Sequence, residues 1–252
     1  MAIKMVIFDK DGTLMDFDSF WVTVFRLAVA DMLNELHADA GLSEKLLSAM
    51  GVQDGTTDVQ GVLCWGTYRQ MGEVLYRTLQ ENGVACDEEE VVKLTSRTYH
   101  AHADEGIIQP ACGDIKEVLG HYLREGISLA LVTTDGPMVT RKCLEKLDIG
   151  PYFSAICTDD GIFPPKPDPT CIEVLCEQFG LAKEEIVMVG DTMTDVRFAR
   201  NGGIRVIAVN KTEAGRAFFA AEADAVTEDI SGVYDILAKW EEKWEDTWED
   251  KK

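Results

Sequence analysis

Runs of consecutive apolar residues, each followed by a polar residue, recur along the chain and predict buried parallel strands. The first run spans residues 5–8 and ends at Asp9, and later runs end at Thr133 and Asp191. Segments with apolar residues at helical spacing lie between these runs after residue 109. This alternation is typical of a doubly wound sheet, so we predict an α/β fold with a Rossmann-like parallel sheet. The elements predicted after the first strand are helix 113–124, strand 129–132, helix 137–147, strand 154–158, helix 169–180, strand 186–190, a helix through residue 200, strand 205–209, helix 213–221, strand 223–226 and helix 230–239.

Between the first strand and residue 109 the pattern changes to helical periodicity. Phe20, Val24 and Leu27, for example, recur at the spacing of one helix face. We therefore predict an all-helical domain that is inserted after the first strand of the core domain. The predicted domains are a core of residues 1–15 and 109–239, a helical insertion of residues 16–108, and a C-terminal tail of residues 240–252.

The C-terminal tail is acidic and carries Trp240, Trp244 and Trp248. Their spacing of four residues would align the indoles along one side of a helix. We favour an extension of the last helix in which the indoles cover the surface of the core domain. The alternative is a dimer contact or a motif that binds a partner.

Composition narrows the classes of partner. The 252 residues carry a formal net charge of −21, which opposes binding to the phosphates of nucleic acid or to an anionic membrane surface. No apolar stretch reaches membrane-spanning length. The seven cysteines include no Cys-x-x-Cys pair, which is typical of reduced thiols in the cytosol. We predict a cytoplasmic monomer or homodimer without a nucleic acid or membrane partner.

Candidate chemistry is concentrated at the end of the first strand. Asp9 and Asp11 lie two positions apart and are followed by Gly12 and Thr13. In an open α/β sheet, ligands bind at the carboxyl edge of the strands. One carboxylate can act there as a nucleophile or metal ligand while the other transfers a proton, and this chemistry suits phosphoryl transfer. The alternative is an ordinary turn, because turns also favour Asp and Gly.

Four motifs follow one another at residues 9–13, 129–135, 165–169 and 186–195. In this order they resemble those of the haloacid dehalogenase superfamily and, within it, of the phosphoglycolate phosphatase-like hydrolases. The resemblance implies an α/β core with a helical cap that closes over the active site, and it implies Mg²⁺ as cofactor. Asp11 favours the phosphatase and phosphomutase branch of the superfamily. Lys10 departs from the apolar residue that is commoner there; we interpret it as a variation that leaves the chemistry intact, although its charge near the phosphoryl site could tune substrate choice.

The resemblance assigns the reacting groups and the metal ligands. Asp9 would attack phosphorus to form an aspartyl phosphate. Asp11 would protonate the leaving oxygen and then take a proton from the attacking water. The carboxylates of Asp9 and Asp191 and the main-chain carbonyl of Asp11 would form an all-oxygen site suited to Mg²⁺.

The other motifs supply groups for the phosphate. The Thr133 hydroxyl and the Thr134 N–H would donate to phosphoryl oxygens, and Lys166, between two prolines, would aim its ammonium group at the phosphoryl group and at Asp9. Asp195 is interpreted as a supporting acceptor for Lys166 or a metal-bound water. The alternative for Asp195 is an ordinary acidic residue in the first turn of a helix.

Substrate selection is assigned to the helical insertion. Residues 60–69 resemble the glycine-containing cap loop of related phosphatases, which makes Trp65, Thr67 and Arg69 candidate specificity residues. The alternative is an interhelical turn with Trp65 packed in the core of the cap.

The sequence therefore predicts a Mg²⁺-dependent phosphatase for a small phosphorylated metabolite, with phosphoglycolate as the leading substrate by resemblance. One alternative is a phosphomutase of the β-phosphoglucomutase type. Another is a regulatory protein that binds a phosphorylated ligand without turnover. A sensor has no need for both a nucleophile and a proton donor, so the regulator is disfavoured by the complete set of Asp9, Asp11, Thr133, Lys166 and Asp191.

Overall fold

A computed structural model describes residues 2–249, with side chains through residue 242. The chain divides into two compact units, which are described separately. The core unit comprises Met1–Asp16 and Gln109–Lys252, and the inserted unit comprises Phe17–Ile108.

The strands and helices are named here in chain order. The strands are β1 (Met5–Phe8), β2 (Val52–Gln53), β3 (Thr56–Thr57), β4 (Ser128–Val132), β5 (Ala155–Cys157), β6 (Ile186–Gly190), β7 (Arg205–Val209) and β8 (Ala225–Thr227). The α-helices are α1 (Thr23–Glu35), α2 (Ser43–Ala49), α3 (Val62–Trp65), α4 (Tyr68–Glu81), α5 (Glu88–His102), α6 (Ile115–Arg124), α7 (Pro137–Leu147), α8 (Thr170–Phe179), α9 (Met193–Gly202), α10 (Glu213–Phe219) and α11 (Val233–Glu249). A π-helical turn spans Asp18–Val22, and 3-10 turns span Ala40–Leu42, Gly150–Tyr152, Lys183–Glu185 and Ile230–Gly232.

A parallel sheet forms the centre of the core unit. Its strand order in the described residues is β5-β4-β1-β6-β7-β8, and each pair of neighbours is parallel. Every residue of β1 and β6 is buried, as expected for strands covered on both faces. The α/β fold with a doubly wound parallel sheet, predicted from the apolar runs, is confirmed.

The strand register brings three polar strand ends together. Phe8 of β1 pairs with Leu131 of β4 on one side and with Val189 of β6 on the other. Asp9 follows β1 directly, Thr133 follows β4, and Asp191 follows β6. Because these strands are parallel, all three residues lie at the carboxyl edge of the sheet.

The inserted unit is mainly helical. Leu75 and Leu79 of α4 and Val91 of α5 are fully buried and form part of its interior. It also contains a short antiparallel ribbon, β2 with β3, that the helical periodicity did not predict. Asp54 and Gly55 join the two strands with φ angles of 51° and 79°, which is the left-handed backbone that a tight two-residue hairpin requires.

The last helix continues through the segment that the sequence analysis treated as a tail. Trp240 is half-buried, packs against the apolar core and lies under the guanidinium of Arg205, 4.2 Å from its Cζ to the ring centroid. The side chains of Trp244 and Trp248 lie outside the described residues. In the described part of the chain no helix combines the length and the apolar character needed to cross a membrane.

Candidate active site

The loop after β1 is a tight turn that places Asp9 and Asp11 at the sheet edge. The Leu14 and Met15 N–H groups both donate to the Lys10 carbonyl at 2.9 Å. Gly12 has a φ of +76°, and a Cβ atom there would lie 2.0 Å from Asp191 Oδ2. The position therefore needs glycine both for its backbone angle and for the close approach of Asp191.

Three carboxylates converge at this edge. One oxygen from each of Asp9, Asp191 and Asp195 lies within 4.8 Å of the others. Asp9 and Asp195 are 7% and 0% exposed, and Asp191 is half-buried. Thr13 Oγ1 donates to Asp191 Oδ1 at 3.3 Å. Buried carboxylates at this spacing repel one another, so the cluster needs positive charge beside it.

Lys166 supplies part of that charge. Its side chain is 4% exposed, and its Nζ atom lies 2.5 Å from Asp9 Oδ1 and 2.6 Å from Asp195 Oδ1. Burial disfavours the ammonium form, but Asp195 and Asp9 outweigh burial and raise the pKa of Lys166 above its ordinary value. Lys166 therefore remains a buried cation that joins two of the three carboxylates.

Asp195 is held from two sides. Its Oδ1 atom accepts from Lys166, while its Oδ2 atom accepts from the Thr192 N–H at 3.1 Å and the Thr192 hydroxyl at 2.7 Å. Thr192 is the N-cap of α9, and its own hydroxyl accepts the Asp195 N–H at 3.4 Å. Because both carboxylate oxygens are engaged, this arrangement suits a supporting acceptor for Lys166 better than a direct metal ligand.

Burial and neighbouring charges raise the pKa values of two members of this cluster. Burial raises the pKa of Asp9 to about 7, and nearby Asp195 and Asp11 add to the rise while Lys166 opposes it. Burial, followed by the charges of Asp9 and Asp195, also raises the pKa of Asp191 well above its usual range. Both carboxylates consequently hold protons more tightly than free aspartate unless a further cation stabilises their charge.

The end of β4 supplies donor groups. Thr133 is 5% exposed, and its N–H donates to the Cys157 carbonyl at 3.0 Å. Its hydroxyl accepts the Asp135 N–H at 3.2 Å, so the O–H itself can donate to another acceptor. Thr134 is exposed. Both residues lie at the same sheet edge as Asp9, where donors to a bound anion are needed.

Asp11 has a cationic neighbour of its own. Lys10 Nζ lies 2.8 Å from Asp11 Oδ1 and 2.9 Å from Asp135 Oδ2. The Lys10 side chain is 1% exposed, whereas that of Asp11 is 16% exposed. This buried lysine therefore links the loop after β1 to the loop after β4.

The three candidate specificity residues belong to the inserted unit. Trp65 is 52% exposed and its indole N–H donates to the Gln60 carbonyl at 3.0 Å, so the alternative that it packs in the core of this unit is wrong. Thr67 caps α4, with its hydroxyl accepting the Gln70 N–H at 3.3 Å. Arg69 forms an exposed ion pair with Glu89 at 3.0 Å. Thr67 and Arg69 thus have local structural partners, and a role for these residues in specificity stays a prediction.

Several site residues escaped the sequence analysis. Thr13 was part of the first motif but received no role, although its hydroxyl contacts Asp191. Thr192 stands three residues before Asp195, and this capping spacing was a usable signal. Asp135 had no comparable signal, because its contact with Lys10 depends on how two distant loops meet.

The fold and the site together define an α/β protein with an acidic, lysine-containing site at the carboxyl edge of its sheet. The sequence model of the haloacid dehalogenase-like hydrolases matches residues 3–203, and the chain belongs to this family. The resemblance inferred from the four motifs is confirmed, and the protein is a hydrolase by family.

Known proteins related to this chain resemble it over nearly its whole length. The phosphoglycolate phosphatase of Shigella boydii is 27% identical over 242 residues, which cover 93% of this chain and 92% of that protein. A Haemophilus somnus structure, described as a predicted phosphoglycolate phosphatase, superposes with a TM-score of 0.68 at 20% identity and covers 93% of this chain and 97% of its own. A Thermotoga maritima structure with a provisional β-phosphoglucomutase assignment gives a TM-score of 0.64 at 21% identity, and the match covers 94% of this chain and 99% of that chain. At these identities the two structures support the fold alone.

Proposed function

We propose that this protein is a Mg²⁺-dependent phosphatase that hydrolyses a small phosphorylated metabolite through a phosphoenzyme at Asp9. The observation that carries the proposal is the arrangement of Lys166 between Asp9 and Asp195, with Asp191 beside them. This arrangement provides a carboxylate nucleophile together with a buried cation for an anionic substrate.

The residues of the site fit a divalent cation. Within the cluster of Asp9, Asp191, Asp195 and Lys166, three carboxylates face one ammonium group, so ionisation of all three would leave two uncompensated negative charges. Burial raises the pKa of Asp9 and of Asp191, and the neighbouring carboxylates add to the rise. The donors are oxygens, which Mg²⁺ prefers. Asp9, Asp191 and the main-chain carbonyl of Asp11 would hold the ion, while Asp195 stays with Lys166. When bound, Mg²⁺ would offset the repulsion between Asp9 and an anionic phosphoryl group.

In the first half of the reaction, an Asp9 oxygen forms a bond to phosphorus as the bond from phosphorus to the leaving oxygen breaks. Asp11 gives its proton to that oxygen, so that the product departs as an alcohol. Lys166, the Thr133 hydroxyl and the Thr134 N–H stabilise charge on the other phosphoryl oxygens.

In the second half, water attacks the aspartyl phosphate. Asp11 accepts a proton from this water, inorganic phosphate leaves, and the Asp9 carboxylate is restored. The same two carboxylates therefore serve both halves, with Asp11 first as acid and then as base.

Phosphoglycolate is the leading substrate within this proposal. Its support is the similarity to the Shigella boydii phosphoglycolate phosphatase across 93% of the chain. The −21 net charge makes a small anion that reaches Lys166 a better candidate than a polyanionic macromolecule.

The test measures phosphate release from phosphoglycolate and from a panel of phosphorylated metabolites that includes hexose phosphates, with Mg²⁺ and with EDTA. Metal-dependent release from a narrow subset is expected. Asp9→Asn should abolish release and should also abolish the mass increase of one phosphoryl group in protein quenched during turnover. Full activity of Asp9→Asn would contradict the mechanism, and conversion of a sugar phosphate to its isomer with little free phosphate would favour a phosphomutase.

A further inference from the structure

Lys10 is a buried charge that the proposed mechanism does not use. Its side chain is 1% exposed, and Nζ contacts Asp11 Oδ1 at 2.8 Å and Asp135 Oδ2 at 2.9 Å. Burying an ammonium group is costly unless carboxylates and hydrogen bonds compensate it. Lys10 is therefore held in place by the two carboxylates that it joins.

The main chain of Lys10 is fixed as well. Its carbonyl oxygen accepts the N–H groups of both Leu14 and Met15, and this closes the turn after β1. A lysine has a flexible side chain, but with its backbone in a turn and its Nζ atom between two carboxylates it has little freedom to move. The Asp11 carboxylate consequently has a rigid partner.

The second carboxylate ties this arrangement to the phosphate-binding loop. Asp135 follows the candidate donors Thr133 and Thr134, and its N–H donates to the Thr133 hydroxyl at 3.2 Å. The Asp135 carbonyl accepts the Asp159 N–H at 2.9 Å, which anchors the loop on the β5 side. Lys10 thus connects the proton-transfer residue to the residues that would hold the phosphoryl group.

We propose that Lys10 is a positioning residue that holds the Asp11 carboxyl group in register with the phosphoryl-binding loop after β4, so that Asp11 protonates the poor leaving groups of alkyl phosphates. The proposal rests on the proposed phosphatase function. In the step concerned, Asp11 is a neutral carboxyl group whose Oδ1 atom accepts from Lys10 and whose Oδ2 atom carries the proton. The bond from phosphorus to the alkyl oxygen breaks, an Asp9 oxygen takes its place on phosphorus, and the proton on Asp11 Oδ2 passes to the departing oxygen. Lys10 itself transfers no proton and touches no reacting atom.

The leaving group provides the readout. A p-nitrophenolate ion departs from phosphorus without protonation, whereas an alkoxide needs a well-placed acid. The ratio kcat/KM covers events only through formation of the phosphoenzyme, so it isolates this departure from the later hydrolysis. We call kcat/KM for phosphoglycolate divided by kcat/KM for p-nitrophenyl phosphate the substrate ratio. A general loss of folded protein lowers both kcat/KM values equally and leaves the substrate ratio unchanged.

The experiment compares phosphoglycolate with p-nitrophenyl phosphate in wild type, Lys10→Met and Asp135→Asn. Displacement of a reacting group by about 1 Å costs about 100-fold in rate. Lys10→Met should therefore lower kcat/KM for phosphoglycolate by about that factor and kcat/KM for p-nitrophenyl phosphate by much less. Lys10→Met should thus lower the substrate ratio, and Asp135→Asn should lower it by a smaller factor. Lys4→Met is the matched control, because Lys4 lies just before β1 and pairs with Glu185 at 2.6 Å while 57% of its side chain stays exposed.

An unchanged substrate ratio in Lys10→Met would overturn the proposal. If that variant does not fold, the ratio in Asp135→Asn decides alone, and an unchanged ratio there has the same meaning. A wild-type protein that hydrolyses neither p-nitrophenyl phosphate nor any member of the metabolite panel would instead refute the proposed function, and if the panel identifies another alkyl phosphate as substrate, that ester replaces phosphoglycolate in the comparison. The two failures are therefore distinguishable in one set of measurements.

Discussion

Replacing Lys166 with methionine tests whether the buried lysine stabilises the acidic cluster. Lys166 Nζ contacts Asp9 and Asp195 at 2.5 and 2.6 Å, and the Lys166 side chain is 4% exposed. Methionine keeps most of the side-chain volume but removes the ammonium group, with its charge and its hydrogen-bond donors. The substitution should lower the free energy of unfolding, because it leaves carboxylates buried without their cation.

The magnitude follows from burial and distance. At an effective dielectric constant of about 20, unit charges at these separations attract by about 6 kcal/mol per contact. Desolvation of the ions cancels much of that attraction, and removal of one partner of a buried pair typically costs about 3 to 5 kcal/mol. Lys4→Met removes an ion pair of equal length, 2.6 Å, from an exposed lysine and should cost only a small fraction of that loss.

The assay is urea unfolding at constant pH with EDTA, so that no bound cation replaces the lost ammonium group. A second substitution gives a sharper comparison, because Asp195→Asn removes one stranded charge while its amide oxygen can still accept from Thr192. The Lys166→Met, Asp195→Asn double variant should therefore be more stable than Lys166→Met alone. A loss no greater than that of Lys4→Met, or a double variant less stable than the single one, would refute the electrostatic reasoning.

Two further predictions concern metal binding and the turn after β1. Burial raises the pKa of Asp9 from 3.8 to about 7. The protonated form of Asp9 therefore stabilises the metal-free protein below pH 3.8, and this stabilisation is lost as the pH rises through about 7. Because Mg²⁺ needs ionised ligands, thermal unfolding should show a larger Mg²⁺-induced increase in Tm at about pH 8 than at about pH 5, and equal increases would contradict the site. Gly12→Ala should abolish this Mg²⁺-induced increase in Tm, because the new Cβ would lie 2.0 Å from Asp191 Oδ2. Gly126→Ala is the control and should keep the increase, because Gly126 has the same φ of +76° but a Cβ there would have no neighbour within 4 Å.

The fold was predictable where burial dictates sequence. Strands β1 and β6 are covered on both faces, so their uninterrupted apolar residues identify them directly. The ribbon of β2 and β3 was missed because strands of two residues are too short to show an alternating pattern. Its turn residues, Asp54 and Gly55, were the only strong local signal, since this dipeptide favours a tight hairpin.

The candidate site was predictable only in part, for a different reason. Asp9, Thr133 and Asp191 follow apolar runs, and parallel strands necessarily bring such ends to one edge. The contact of Lys166 with Asp9 joins residues 157 positions apart, and its expectation came from the family resemblance and not from periodicity. The link between Lys10 and Asp135 depends on the direction of both side chains, which neither the hydrophobic periodicity nor the family resemblance indicates.

The charge of the whole chain explains why the site must be built in this way. With a net charge of −21, the protein repels an anionic substrate at long range. Attraction must then come from cations close to the phosphoryl group, where short distances and low dielectric constant make each contact strong. Lys166 is already shared between Asp9 and Asp195, so it cannot by itself neutralise both the cluster and a phosphate. A divalent cation would supply the missing charge. It would also favour the ionised forms of Asp9 and Asp191, whose pKa values are raised first by burial and then by neighbouring carboxylates.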